Sequence, residues 1–370
     1  MQVAVLLEQC LAPVPGGTGR YSREIAAALA RSAPPGSAVT GWTGWHRDVT
    51  AARVPGVGGP RRLPLPRRAL VAAWERGAGP APRADVIHAP ALLAPPRRRT
   101  PLVVTIHDAV PWTHPETLTA RGVGWHRRAA GYAAAAADAI IVPTEAVAAE
   151  LRRVLPLGAD QVHVIGEGVT EALAAQPPDA DARAGRLDLP ERYLLSLATL
   201  EPRKGLDVLL AALAEPTAPD VPLLVVGQPG WGGVDPAAAA AARGLAPGRV
   251  RVLGRLPDPD LATVLHRATA LVAPSRAEGF GLPVLEAMAA GVPVVTSDAP
   301  ALVEVGGDAT LVVPRDDPSA LAVTLRSLLA DGALQARLSA AGRCRAPLFT
   351  WLAAARALWA VYAKVHRRRA

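Results

Sequence analysis

The chain is expected to be an α/β protein of two domains, each built on a parallel sheet covered by helices. Three observations predict this. The 370 residues exceed one ordinary core and suit two units of roughly 150 to 200 residues. Apolar, strand-like runs alternate with Ala-rich helical stretches through both halves. The runs do not alternate polar with apolar residues, which is the pattern of strands buried on both faces and joined by right-handed crossovers.

Taken in order, the strand-like runs of the first half are residues 2–7, 86–88, 102–107 and 140–143. A stretch reading Gly16-Gly17-Thr18-Gly19-Arg20 lies between the first of them and a helix over 21–31. Residues 171–190 are rich in Ala, Asp and Pro and contain Pro177-Pro178, so a boundary and a hinge are placed there. Beyond it the strands are 193–200, 223–227, 250–253, 270–274 and 292–297, with helices at Leu206–Ala214 and 261–268 between them. The tail over 350–364, with Trp351, Leu352, Leu358, Trp359 and Val361, has the spacing of an amphipathic helix. The domains are therefore expected at 1–175 and 176–348, with 349–370 as a closing helix.

Composition narrows the classes. Half the residues are hydrophobic but only 4% are aromatic, so the cores should be built from Ala, Leu and Val with close helix-to-sheet contact. Cys10 and Cys344 have neither metal-ligand nor redox spacing, which suits free thiols in a reducing compartment. The opening Met-Gln-Val-Ala-Val-Leu-Leu-Glu reaches an acid too early for a secretory leader, and no run of about 18 apolar residues occurs. A cytoplasmic protein is expected. The net charge of +8 and pI of 10.4 come largely from arginine clusters in the first half. No nucleic-acid motif and no interleaved stacking aromatics accompany them, so nucleic acid is excluded as the expected partner. An anionic membrane or a phosphorylated acceptor fits the charge better, and residues 61–74, which mix cations with apolar side chains, suit peripheral contact with a lipid surface. Solvated loop charge is the competing explanation of that segment.

The most informative stretch runs from Arg276 to Pro293, where Glu278 and Glu286 stand eight residues apart around Gly279-Phe280-Gly281-Leu282. The glycines let a backbone pass close to a ligand, and the N-terminus of the following helix favours an anionic guest. Two carboxylates there can accept hydrogen bonds from hydroxyls, as in vicinal diols attached to phosphates. Without further context, both could equally be solvated charges at a helix end. Arg203 and Lys204, in Leu200-Glu-Pro-Arg-Lys-Gly205, follow the first strand of the second half, where α/β sheets bind ligands. Their charge-assisted bonds to a phosphate, about 1.5 to 3 kcal/mol each, outweigh the roughly 0.3 to 1 kcal/mol of an exposed helix terminus. A solvated basic turn is the alternative. Gly17 and Gly19 are candidates for close backbone approach, although the stretch lacks the spacing and the ribose-binding acid of a dinucleotide fingerprint. His107 ends a strand and can orient a hydroxyl, with Asp108 beside it to hold an acceptor or the imidazole tautomer; a histidine satisfied by its neighbours is the bland reading. The histidines share no ligand spacing and no Asp-x-Asp pair sits in a metal-binding loop, so neither metal nor cofactor is expected.

The segment from Arg276 to Pro293 resembles the E-x-x-x-x-x-x-x-E signature of retaining glycosyltransferases of group 1, family 4. These have the GT-B architecture of two facing Rossmann-like domains. The resemblance extends along the chain, through residues 1–30, 105–108, 196–209 and 275–300. It implies that Glu278 contacts the transferred sugar and Glu286 the nucleotide ribose. By the same similarity, His107 lies beside that sugar, the Gly17–Gly19 region approaches the donor phosphates, and the last helix crosses back to the first domain. The forms Leu-Glu-Pro-Arg-Lys and Glu-Gly-Phe-Gly-Leu-Pro are most similar to mannosyltransferases of polysaccharide or glycolipid assembly. GDP-mannose is therefore the expected donor and a carbohydrate or glycolipid the expected acceptor. Where many relatives carry Gly-Arg after the first strand of the second half, this chain has Ala198-Thr199-Leu200, which leaves the division of labour between Arg203 and Lys204 open. A nucleotide-sugar epimerase on the same scaffold and a non-catalytic nucleotide-binding protein are the alternatives.

Overall fold

A computed structural model describes residues 1–369, which form two compact units. The first comprises Met1–Thr113, Ala120–Gly168 and residues 350–369, and the second His114–Thr119 and Val169–Phe349.

The first unit holds a seven-stranded sheet of β1 (Gln2–Leu6), β2 (Ala38–Trp45), β3 (Gly58–Pro66), β4 (Val86–Ala89), β5 (Leu102–Thr105), β6 (Ala139–Val142) and β7 (Val162–Val164). Their order is β3-β2-β1-β4-β5-β6-β7, and every neighbouring pair is parallel. Such a sheet must bury both faces, and β4, β5 and β6 are buried at every residue. The order reverses at β1 and β4, which opens a crevice at their carboxyl ends. Three strands here escape the sequence reading. β2 is half-exposed and rich in Gly and Trp, β7 has three residues, and β3 is an edge strand whose prolines suit only that position.

The segment over 61–74 is thus the end of β3 and most of the helix Arg67–Glu75. Leu63, Leu70 and Trp74 are buried in the unit's core, while Arg61, Arg62 and Arg68 are exposed. The largest apolar side chains of that segment therefore face inward, and its outward character is cationic. The stretch from Gly16 is likewise not a loop, because the helix starts there and spans Gly16–Arg31.

The second unit repeats the plan with six strands: β8 (Leu194–Leu197), β9 (Leu223–Val226), β10 (Val250–Gly254), β11 (Ala270–Ala273), β12 (Val294–Ser297) and β13 (Thr310–Val313). The order is β10-β9-β8-β11-β12-β13, again parallel throughout. Here the reversal lies between β8 and β11, so the turns that follow these two strands share the crevice. Residues 171–190 carry the helix Ala180–Arg186, whose Arg183 and Arg186 pair with Asp260 at 2.6 and 3.3 Å.

The last helix, Trp351–Arg367, belongs to the first unit, as the fold class implied. Its apolar stripe buries Leu358, Trp359, Tyr362 and Val365. Trp359 Nε1 donates to the Leu29 carbonyl at 3.1 Å. Tyr362 Oη lies 2.7 Å from His88 Nδ1, and His88 Nε2 lies 2.9 Å from Thr105 Oγ1. Burial, then the charge of His107, pushes the His88 imidazole down to about 3, so it is neutral and needs one partner to donate to it. Tyr362→Phe should strand that nitrogen and cost about 1 to 3 kcal/mol. Urea unfolding monitored at the first unit's tryptophans should show the earlier midpoint, with donor binding unchanged.

Candidate functional site

In the second unit, β8 runs into the 3-10 turn Pro202–Lys204, and β11 into the loop that carries Glu278. The two segments lie against each other because Gly205, at φ 65°, has no side chain: a Cβ there would stand 2.0 Å from the Pro274 carbonyl oxygen. Arg276 tightens the junction. Its N–H donates to the Arg203 carbonyl at 2.7 Å, and its guanidinium reaches the Pro202 carbonyl, Asp207 and Asp316.

That junction delivers Glu278 to both cations. Lys204 Nζ is 2.6 Å from its Oε1 and Arg203 Nη1 3.2 Å from its Oε2, while Ser275 Oγ donates to Oε1 at 2.9 Å. Burial pushes the Glu278 carboxyl up, but Lys204 and Arg203 pull harder and bring it down to about 2. It is an ionised, acceptor-only group held in one orientation. Arg203 is further fixed by Glu201, 2.7 Å from Nη2, and Glu201 Oε2 accepts from Trp231 Nε1 at 2.8 Å. The solvated-charge reading of Glu278 and of the basic turn is therefore overturned. Sequence reasoning singled out Glu278, Arg203 and Lys204 but missed Glu201, Trp231 and Ser275. Glu201 stands inside the same motif, whereas nothing in sequence ties Trp231 to it.

The helix after the loop spans Leu282–Ala290 with Gly281 as N-cap. Glu286 is buried in this helix at 2% exposure, so it too is no solvated charge. Phe280 packs edge-on against Phe349 at 5.6 Å, and Leu282 is buried as well, so both side chains serve the core and leave only their backbone to a ligand.

In the first unit, His107 and Asp108 follow β5. His107 Nε2 lies 2.9 Å from the Pro90 carbonyl after β4, and Nδ1 faces Glu167 Oε1 at 3.6 Å. Asp108 Oδ1 accepts from Val110 N at 3.1 Å and so caps the short helix Val110–Thr113. Gly17, in the first turn of Gly16–Arg31, opens onto free space, and N–H groups of such a turn lack intrahelical acceptors. Gly19 answers to packing instead, since a Cβ would meet Pro15 Cβ at 2.5 Å. Among the described residues, no group of three or more His, Cys, Asp or Glu is arranged to hold a metal ion. None of the described helices is long and apolar enough to cross a membrane.

Two Rossmann-like units with parallel sheets, one carrying an acid-and-base cluster where its strand order reverses, define a GT-B protein. Comparison with known proteins gives the family: residues 177–345 match glycosyl transferases group 1 and residues 15–173 match Glycosyltransferase Family 4. The chain belongs to this glycosyltransferase family. It is 33% identical over 268 residues to the O-antigen chain mannosyltransferase B of Escherichia coli, covering 69% of this chain and 68% of that protein. It is 38% identical over 217 residues to a phosphatidyl-myo-inositol mannosyltransferase of Mycolicibacterium smegmatis, covering 56% of this chain and 53% of that one. Among solved structures, a sucrose-phosphate synthase from Thermosynechococcus elongatus is similar over 100% of both chains, with TM-score 0.79 and 25% identity. Anabaena HepE in complex with UDP-glucose is similar in fold, with TM-score 0.76 and 19% identity over 98% of this chain and 100% of that one.

Proposed function

We propose that the chain is a retaining, metal-independent hexosyltransferase that moves mannose from GDP-mannose to an anionic glycan or glycolipid acceptor, with the donor in the second unit and the acceptor in the first. The observation that carries this reading is the Glu278 cluster: an ionised carboxylate locked by Arg203 and Lys204 where β8 and β11 end. A carboxylate so fixed accepts hydrogen bonds from sugar hydroxyls without reorganising, and the two cations beside it can take up the charge of a departing diphosphate. In the transfer step the bond from the anomeric carbon to the phosphate oxygen breaks. The acceptor oxygen bonds to the same face of that carbon, and its proton passes to a phosphate oxygen. Glu278 holds the sugar meanwhile.

Mannose is supported by two relatives whose names are mannosyltransferases. An anionic acceptor is supported by charge: of the 40 basic and 32 acidic side chains, 24 and 11 belong to the first unit, which leaves the second acidic overall. An O-antigen chain, phosphatidyl-myo-inositol and D-inositol 3-phosphate figure in the relatives' names.

The test is a screen of GDP-mannose, GDP-glucose, UDP-glucose and UDP-N-acetylglucosamine. Nucleotide release is followed with and without acceptor, and the anomeric configuration of the product is read by NMR. Acceptor-dependent release from GDP-mannose with retention supports the proposal. Inversion, release from UDP donors alone, or conversion of the donor into an isomer would refute it. Glu286→Ala should weaken donor binding about tenfold or more by removing a hydrogen-bond acceptor for the ribose, while kcat at saturating donor changes less. Calorimetry with the donor and with free GDP checks it, and equal affinities in variant and wild type would exclude the ribose role.

A further inference from the structure

Glu167 attracts no attention in sequence. It sits alone in Ile165-Gly-Glu-Gly-Val169, with no motif around it and its partner 60 positions away. Yet it is one of the few charged side chains buried in the first unit, at 4% exposure, and its carboxylate faces the imidazole of His107. Its backbone is pinned where the chain leaves and re-enters this unit: a Cβ on Gly168 would lie 2.3 Å from the Trp351 backbone nitrogen and 2.8 Å from the Thr350 carbonyl carbon. Only glycine lets the returning segment approach so closely, and that approach sets where Glu167 points.

The chemistry around His107 is one-sided. Its Nε2 is 2.9 Å from a carbonyl oxygen, which only accepts, so this nitrogen carries a proton. Its Nδ1 faces a carboxylate oxygen at 3.6 Å, too far for a full hydrogen bond but close enough for strong attraction in a buried setting. Both nitrogens thus look at acceptors, and only the imidazolium satisfies both. The remaining neighbours oppose this little. Asp108, next in sequence, adds negative charge. Tyr21 packs edge-on at 4.7 Å, and burial pushes its phenol up, so it stays neutral. His88, one strand away, is neutral for the reason given above.

We infer that Glu167 is a positioning residue that holds His107 as the imidazolium, with Nδ1–H turned toward the carboxylate. The same tendency is visible in His107's acidity: burial pushes the imidazole down, but Glu167, the Pro90 carbonyl and Asp108 together raise it above its usual value. The part this cation plays in transfer rests on the glycosyltransferase reading, whereas the pairing itself does not.

The experiment is an NMR titration of the His107 ring in the full chain without donor, its signal assigned by its loss in His107→Gln. Glu167→Gln keeps the shape and removes the charge. The midpoint should fall by about one pH unit or more, and Glu167→Asp, a shorter carboxylate, should fall between the two. In turnover, Glu167→Gln should stay close to wild type at pH values below both midpoints but lose about tenfold in kcat above them, with donor KM little changed, because the imidazolium is depleted tenfold per pH unit above its midpoint. An unchanged midpoint in both variants overturns the pairing, whatever the enzyme's substrates prove to be. A shifted midpoint with the same fractional activity loss at every pH overturns the role in turnover.

Discussion

Glu278→Gln should lower kcat by about three orders of magnitude while donor affinity changes only a few-fold, because its fixed charge acts on the sugar as the glycosidic bond breaks rather than on the nucleotide. The substitution keeps the shape and the hydrogen bond to Ser275, so the loss measures charge. It leaves Arg203 and Lys204 without their shared counter-ion, although Arg203 retains Glu201. Glu278→Ala should be worse for the fold, since it also opens the space the carboxylate filled, and breaking a buried pair from one side costs about 3 to 5 kcal/mol. Acid titration gives an independent readout. The Glu278 carboxyl stands near 2 in the folded protein against an ordinary 4.5. Its contribution is therefore complete above about pH 4.5 and disappears as pH falls through 2. At about 1.4 kcal/mol per pH unit, the wild type should lose about 3 kcal/mol across that window, and Glu278→Gln should lack that slope. Comparison of urea midpoints at pH 5 and pH 3 checks it. If both proteins show the same pH dependence, Glu278 is not the clamped anion that the geometry implies.

What was legible in the sequence was local. The turn Pro202–Lys204 and the loop before Leu282–Ala290 could be read as ligand-facing because each follows a strand and precedes a helix, and parallel sheets put all such junctions at one edge. The central strands were legible for a similar reason: β6 and β9 are short, wholly buried and apolar throughout. Sequence reading failed where the causes are long-range. β3 is recruited as an edge strand by β2 despite its prolines and arginines, and its Arg61 lies over the Trp42 ring. Glu167 acquires a partner only because β5 and the end of the unit converge, and Tyr362 meets His88 across 274 residues. The motif reading gave phosphate to Arg203 and Lys204 and sugar to Glu278 without showing that all three are joined through direct contacts. A pattern of residue types cannot show which opposite charges will neutralise one another.

That union changes what the cations should do when altered singly and together. If Lys204 acted only on phosphate and Glu278 only on sugar, their losses in kcat/KM would multiply. In the observed arrangement Lys204 Nζ is 2.6 Å from the Glu278 carboxylate, so each residue holds the other in place. Lys204→Met should cost about a thousandfold by itself: it removes a charge-assisted bond to the leaving group and frees Glu278 to be drawn toward Arg203. Once Glu278 is Gln, much of that second penalty has already been incurred. The double variant should then be at least tenfold more active than the product of the two single losses predicts, equivalent to a coupling of about 1.4 kcal/mol or more. Arg203 should couple to Glu278 less strongly, because its guanidinium also has Glu201 and the Ala277 carbonyl to hold it. A thermodynamic cycle of kcat/KM for Lys204→Met and Glu278→Gln, run beside one for Arg203→Met and Glu278→Gln, measures both. Strict multiplication in the lysine cycle would mean that the contact in the folded protein plays no part in the reaction, and the two residues would revert to separate duties.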